Sequence, residues 1–417
     1  MAKKIKIGIF GGARGASLIN CCNALKNAEV VAVCDKSDEV IAKQKKANAG
    51  LNIAYYSDFE NFIGHDMDAV VLANYATEHA PFAIRCMKAG KHVYSEVLPC
   101  QTMAEAVALV EAVEETGMTY AYGENYCYMA APYEMYRRYK NGDIGEFEYA
   151  ECEYIHNCTP IWPELTYGEE DHWRNNTYST FYCTHSIGPI IHITGLRPVS
   201  VVAFEGLYKR SPYGGSKSAD YGFEIIKLEN GGYIKSIHGN LYKNSIWYSI
   251  YGAKGRMESA REDTHSGSHG RIYVNADRYP GEYGEEKIET YLPDVLPNVR
   301  NRDFGHGGSD FFAFYNFIEK LCGNKEADTI DVYTALDMFL PGLLGYRSIL
   351  SGNIPVAIPN LRNPEERDVW RNDNACTDPM VAKEQLLPTM ATGTPIIDAE
   401  VYSAVKNIWD QNKEKNN

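Results

Sequence analysis

The sequence predicts an α/β N-terminal domain over residues 1–123 and an α+β domain with an open, mainly antiparallel sheet over residues 124–417. Three observations carry that expectation. The 417 residues are too many for one hydrophobic core and suit two domains. Through the first third, short apolar runs alternate with amphipathic stretches of helical period, as crossover connections between parallel strands require. After Gly123 strand patterns follow one another with Gly- and Asn-containing turns and no comparable series of crossover helices, which favours antiparallel pairing.

In order, Lys4–Phe10 (KIKIGIF) reads as a strand running into Gly11-Gly12-Ala13-Arg14-Gly15, and Ala16, Leu18, Ile19, Cys22 and Leu25 give the following helix its apolar stripe. Val30–Cys34 is an apolar run ending at Asp35, and Ala69–Ala73 is another, before Asn74 and Tyr75. A helix starts near His79-Ala80-Pro81, a strand follows over 92–95, an amphipathic helix spans Thr102–Thr116, and Thr119–Tyr122 closes the series. This alternation is the Rossmann pattern. In the second domain Phe147–Ile155, Val199–Phe204, Phe223–Leu228, Tyr233–Gly239, Ser245–Tyr251 and Ile272–Val274 read as strands, with helices at 309–322, 330–351 and 398–411.

The turn Gly11-Gly12-Ala13-Arg14 has the composition of a phosphate-binding turn. Glycines there let the backbone approach a pyrophosphate, whose charge the free N–H groups of the next helix accept. The match is imperfect, because an ungapped reading puts Ala13 and Ala16 at the second and third glycine positions. Asp35, at the end of the second strand, is placed to accept both adenosine ribose hydroxyls and to repel a ribose phosphate, so the expected cofactor is NAD rather than NADP. The competing reading of Asp35 is a helix N-cap.

Composition narrows the partners. A net charge of −14, from 41 basic and 55 acidic residues, disfavours nucleic acid and anionic membranes, and no apolar run approaches the roughly 18–20 residues that span a bilayer. The start MAKKIKIGIF shows no secretory pattern, and eleven cysteines without a CxxC pair fit reduced thiols, so a cytoplasmic location is expected. The 31 tyrosines fit either half-buried sheet positions or an aromatic-walled pocket for a sugar ring.

A polar constellation marks the second domain. Tyr154 and His156 share one strand face, Tyr182 and His185 lie just before Gly188-Pro189, His172, Trp173 and Arg174 precede them, and His306 sits in the glycine-rich GHGGSD. No set of ligands with zinc spacing stands out, so no metal is expected.

The opening IGIFGGARG, VCD at 33–35, HAPFAIRCMKAGKHVYSE at 79–96 and YGENYCY at 122–128 resemble the Gfo/Idh/MocA family of nucleotide-dependent sugar oxidoreductases. Many members carry Glu-Lys-Pro with the lysine as catalytic acid/base; here the segment reads Glu96-Val97-Leu98-Pro99, and the usual Asp four residues before His185 is Phe181. ENYCY (124–128), GDIGEFEYAECEYIH (142–156), CTHSIGPI (183–190), GHGGSD (305–310) and DVYTALD (331–337) look like the family's NAD-dependent glycosidase branch and its glycoside 3-oxidase relatives among gut bacteria. The resemblance implies that Glu96 and Asn125 contact the nicotinamide side and that Asn74, Tyr75 and His79 line the cofactor cleft. It further implies that His185, with Tyr182, accepts the proton of a sugar hydroxyl, and that Tyr154 and His156 hold the ring or act at C2. Trp173, Arg174 and His306 become substrate contacts. The implied reaction is oxidation of a glycoside at C3 to the 3-keto glycoside. The alternatives are a hydrolase that recycles NAD within one turnover and a non-catalytic sensor. A small-molecule glycoside or sugar is the expected partner, and the resemblance implies a homo-oligomer, since sheets of this kind in the family often associate through an open face.

Overall fold

The computed structural model describes residues 4–261, 270–277, 286–294 and 304–416. The chain forms two compact units: Met1–Tyr133 with Asp294–Leu336 and Leu361–Asn372, and Glu134–Pro293 with Asp337–Asn360 and Asp373–Asn417. The expected division at 123/124 differs from this one in a specific way, because the chain returns to the first unit late in the sequence. There the helix Ser309–Leu321 packs on the helix Gly15–Asn23, and the backbone N–H of Tyr122 donates to the carbonyl of Ile330.

The first unit holds six parallel strands: β1 (Ile5–Phe10), β2 (Ala28–Cys34), β3 (Ala54–Tyr56), β4 (Ala69–Leu72), β5 (His92–Ser95) and β6 (Tyr120–Tyr122), in the order β3-β2-β1-β4-β5-β6. This is the doubly wound Rossmann sheet, whose order reverses between β1 and β4. In sheets of this kind ligands bind at the carboxyl ends of the strands where the order reverses. Ile7, Ile9, Val70, Val71, Leu72 and Val93 are fully buried because the sheet is covered on both faces. Phe10 packs against Phe59, Phe62 and Phe82. The helix Met103–Thr116 starts where the sequence places it: Thr102 accepts from the N–H of Glu105, and Glu105 reaches back to the N–H of Gln101. That reciprocal pair is a capping box, which anchors the first turn.

The second unit holds nine strands: β7 (Phe147–Ile155), β8 (Pro198–Glu205), β9 (Tyr221–Leu228), β10 (Tyr233–Gly239), β11 (Ser245–Gly252), β12 (Gly255–Ser259), β13 (Ile272–Asp277), β14 (Glu286–Tyr291) and β15 (Val356–Ala357), ordered β14-β13-β12-β11-β7-β10-β9-β8-β15. The sheet is antiparallel except where β10 lies parallel to β7. That pairing brings Tyr154 and His238 side by side. The wholly buried helix Thr184–Thr194 packs on β7, β10 and β11. On the opposite face Tyr233, Tyr251 and Phe204 are exposed. Among the described residues no helix is long and apolar enough to cross a membrane.

Candidate active site

In the first unit, the strand-to-helix turn is shaped for close backbone approach. Gly11 has φ +97°, and a Cβ there would lie 2.3 Å from the carbonyl oxygen of Ala73. A Cβ at Gly15 would lie 2.4 Å from Ile9. The packing glycine of the turn is therefore Gly15, one position earlier than the ungapped reading places it. Gly11 and Gly15 thus occupy positions with no space for a side chain, in a turn that opens directly into a helix start, and this fits a dinucleotide pyrophosphate.

Asp35 lies beside this turn. Its carboxylate accepts from the N–H of Gly12 at 2.7 Å and of Ser37 at 2.9 Å. The N-cap of the helix Asp38–Ala47 is Ser37, which accepts from Val40. The N-cap reading of Asp35 is thereby removed, and its carboxylate belongs to the turn. At the mouth of β4, the Lys36 ammonium sits 4.1 Å from the centre of the Tyr75 ring. Asn74 donates to Glu78 while its side-chain Oδ1 is buried without a hydrogen-bond partner among the described residues. His79 is buried, with Nδ1 donating to the Leu98 carbonyl at 2.8 Å and Nε2 without a hydrogen-bond partner among the described residues. Burial pulls its pKa down to about 4, so it is neutral. His79 thus anchors the Glu96–Pro99 segment from behind.

Arg14, Glu96, Asn125 and His306 meet in one cluster of the first unit, around a residue that sequence reasoning did not single out. Arg14 pairs with Glu96 at 2.8 Å and with Asp310 at 3.0 Å. Asn125 donates to Asp310 at 2.7 Å, and His306 Nδ1 lies 3.0 Å from the same carboxylate. Burial raises the Glu96 pKa against the pull of the Arg14 cation. Burial also opposes charge on Asp310, yet the His306 hydrogen bond and Arg14 hold it well below the usual carboxylate range. His306 is raised in turn, chiefly by its hydrogen bond to Asp310. His306, expected among the substrate contacts, lies in the first unit beside Arg14, Glu96 and Asn125, which were expected at the cofactor.

The second unit gathers the other six. The Tyr154 ring lies 4.7 Å from the His185 ring, and its hydroxyl is 3.2 Å from His156 Nδ1. Tyr182 lies 5.7 Å from His185, and the Arg174 guanidinium covers Trp173 at 4.4 Å and Tyr182 at 5.6 Å. The buried Tyr248 hydroxyl donates to the His185 carbonyl at 2.6 Å, which fixes the first turn of the helix bearing it. The set combines imidazoles and phenols with an indole and a guanidinium; imidazole is the side chain that exchanges protons near neutrality, and the aromatic rings present flat apolar faces. Cys158 Sγ is 3.5 Å from His156 Nδ1, and burial pushes its thiol pKa up. Among the described residues no group of three or more His, Cys, Asp or Glu side chains could hold a metal ion.

A doubly wound sheet with a glycine turn, a carboxylate at the end of β2 and a polar residue set at the β5 and β6 ends defines a dinucleotide-dependent enzyme. The family descriptions agree: "Oxidoreductase family, NAD-binding Rossmann fold" matches residues 5–124, and "Oxidoreductase family, C-terminal alpha/beta domain" matches 137–358. The chain belongs to the Gfo/Idh/MocA family and is an NAD-dependent oxidoreductase. It is 28% identical over 394 residues to a glycosyl hydrolase family 109 protein of Solibacter usitatus, covering 85% of this chain and 88% of that one. It is 26% identical over 411 residues to an alpha-N-acetylgalactosaminidase of Tannerella forsythia, covering 85% and 86%. The fold is shared with the WlbA dehydrogenase of Bordetella pertussis, solved with NADH and UDP-GlcNAcA (TM-score 0.64, 19% identity, covering 86% of this chain and 99% of that one).

Proposed function

We propose that the chain oxidises the C3 hydroxyl of a glycoside to the 3-keto glycoside. The observation that carries this reading is the Tyr154–His156–Tyr182–His185 cluster, a set of proton-accepting and ring-holding groups with no carboxylate among them. Direct cleavage of a glycosidic bond ordinarily uses two carboxylates flanking C1. Oxidation at C3 asks instead for one base at a hydroxyl. Bound NAD supplies the acceptor for the hydride lost from C3. Gly11, Gly12, Ala13 and Arg14 hold its pyrophosphate, Asp35 its adenosine ribose, Asn74 and Tyr75 the adjoining cleft, and Glu96 and Asn125 the nicotinamide side.

His185 takes the proton of the C3 hydroxyl as the C3–H bond breaks, and the C–O bond becomes a carbonyl. Histidine fits because its ordinary pKa already lies near neutrality. A tyrosine would need a shift of about 3 units, or roughly 4 kcal/mol. Tyr182 stands beside His185, Tyr154 and His156 hold the ring or act at C2, and Trp173 with Arg174 presents a sugar-stacking face.

The names of the relatives favour a second reading. In a hydrolase the same ketone acidifies C2–H, loss of that proton expels the C1 substituent, and water and the hydride are then restored to the sugar. The two readings share the first step. Incubation with a glycoside separates them: a 3-keto product with NADH absorbance indicates the oxidase, and free aglycone without net NADH indicates the hydrolase. If neither forms, both readings fail.

The eleven free thiols support a reducing, cytoplasmic setting, and the net charge of −14 supports a small-molecule partner over nucleic acid or membrane. The tyrosine-bearing outer face of the second sheet supports a homo-oligomer.

A further inference from the structure

We propose that Asp310 is the positioning residue of the dinucleotide site, fixing Arg14, Asn125 and His306 in one constellation and making His306 a second phosphate-facing cation beside Arg14. The proposal concerns cofactor binding alone and stands whether or not the sugar reading holds.

The geometry is specific. Asp310 is the second residue of the helix Ser309–Leu321, and its side chain is fully buried. One oxygen accepts from Arg14, and the other accepts from Asn125 and meets His306. Those three partners come from the phosphate turn, from the residues just after β6 and from the glycine-rich turn at 305–308. A single carboxylate therefore ties together three segments at the mouth of the nucleotide fold.

Charge explains why the tie is needed. The groups acting on Asp310 are Arg14 and His306 as cations and Glu96, Tyr94 and Cys21 as acids, and burial holds the last two neutral. Arg14 serves Glu96 as well, so one cation faces two buried carboxyls. A protonated His306 supplies the missing positive charge, and its hydrogen bond to Asp310 favours that form. Buried carboxylates persist only when paired in this way. Arg14 and His306 each keep part of their side chain exposed, 35% and 43%, whereas Asp310 keeps none. Both cations can therefore meet an anionic ligand while the carboxylate stays behind them. Arg14 lies within the turn assigned to the pyrophosphate, which makes phosphate the chemistry this pair would take.

The test is titration calorimetry on NAD-free protein with two probes, ADP-ribose and adenosine, from about pH 6 to about pH 9, spanning the charge change of histidine. In the wild type, ADP-ribose affinity should fall about tenfold as His306 loses its proton, while adenosine affinity stays level, one charge-assisted contact being worth roughly that factor. Asp310→Asn keeps the shape and removes the charge. It should move the ADP-ribose profile to lower pH, and the His306 ring resonances should show the same displacement by NMR. His306→Gln, on a partly exposed turn, should abolish the pH dependence with the fold intact, and it decides the matter if Asp310→Asn does not fold. A wild-type ADP-ribose affinity that is flat with pH, or an unchanged profile in His306→Gln, would overturn the proposal.

Discussion

Glu224 gives the most demanding prediction about the second unit. It lies on β9, opposite Ser236 of β10 and Ala203 of β8, and is fully buried with neither carboxyl oxygen hydrogen-bonded among the described residues. A Cβ on Gly345 would sit 2.6 Å from one of its oxygens, so the carboxyl lies close against the backbone at Gly345. Burial raises its pKa from 4.5 to about 8. The sign follows from proton counting. Between those values the folded chain holds a proton that the unfolded chain has released, so stability is fully present below about 4.5 and falls as pH rises toward about 8. At about 1.4 kcal/mol per pH unit, the loss by pH 8 is on the order of 5 kcal/mol. Glu224→Met fills a similar volume and carries no ionisable group. Denaturant unfolding of wild type and variant at about pH 5, 6.5 and 8 should show stability falling with pH in the wild type, and the variant's advantage growing by several kcal/mol across that window. Parallel pH profiles would refute the reasoning, because they would mean that Glu224 is ionised or hydrated when folded.

Three further outcomes are expected. His185→Ala should lower NADH formation by about 10²–10⁴-fold while NAD still binds, as removal of a general base does; full turnover would take His185 off the reaction path. Asp35→Ala should cut the preference for NAD over NADP by about tenfold or more in paired binding titrations, since it removes both ribose acceptors and the repulsion of a ribose phosphate. Gly11→Val should weaken NAD binding and destabilise the first unit by a few kcal/mol in thermal unfolding, because its Cβ would collide with the Ala73 carbonyl at a positive φ.

The legible parts of the fold were those with strong periodicity. The strands ending at Phe10, Cys34 and Ser95 and the helix to Thr116 lie where the apolar pattern puts them. β3 escaped because Ala54–Tyr56 is three half-buried residues long, and β14 because EKIETY alternates charge with few apolar positions. The parallel β7–β10 pairing could not be read locally, since its partners are set by the chain's excursion through β8 and β9. The site shows the same division. The glycine turn, Asp35 and the Tyr/His motifs are local patterns, legible without the fold. Asp310 stands inside the GHGGSD motif, but its meaning lies in partners 185 and 296 residues away along the chain.

The absence of a lysine at position 97 makes these distant contacts consequential. In many members of the family the residue after this glutamate is a lysine that serves as catalytic acid/base; here it is Val97, and the cation paired with Glu96 is Arg14 from the phosphate turn. Guanidinium cannot give up its proton near neutrality, so Arg14 replaces the charge without replacing the acid/base function. On the proposed reading the two roles of one lysine are divided: Arg14 and Asp310 set the electrostatics of the nucleotide end, and the alcohol proton goes to a group that titrates. Restoring the lysine tests that division. Val97→Lys in a His185→Ala background should return little activity if Arg14 already holds Glu96, because the new ammonium would join an occupied ion-pair network. Recovery to within about tenfold of wild type in initial-rate assays would show instead that position 97 still addresses the substrate, and that the imidazole cluster is not the proton's destination.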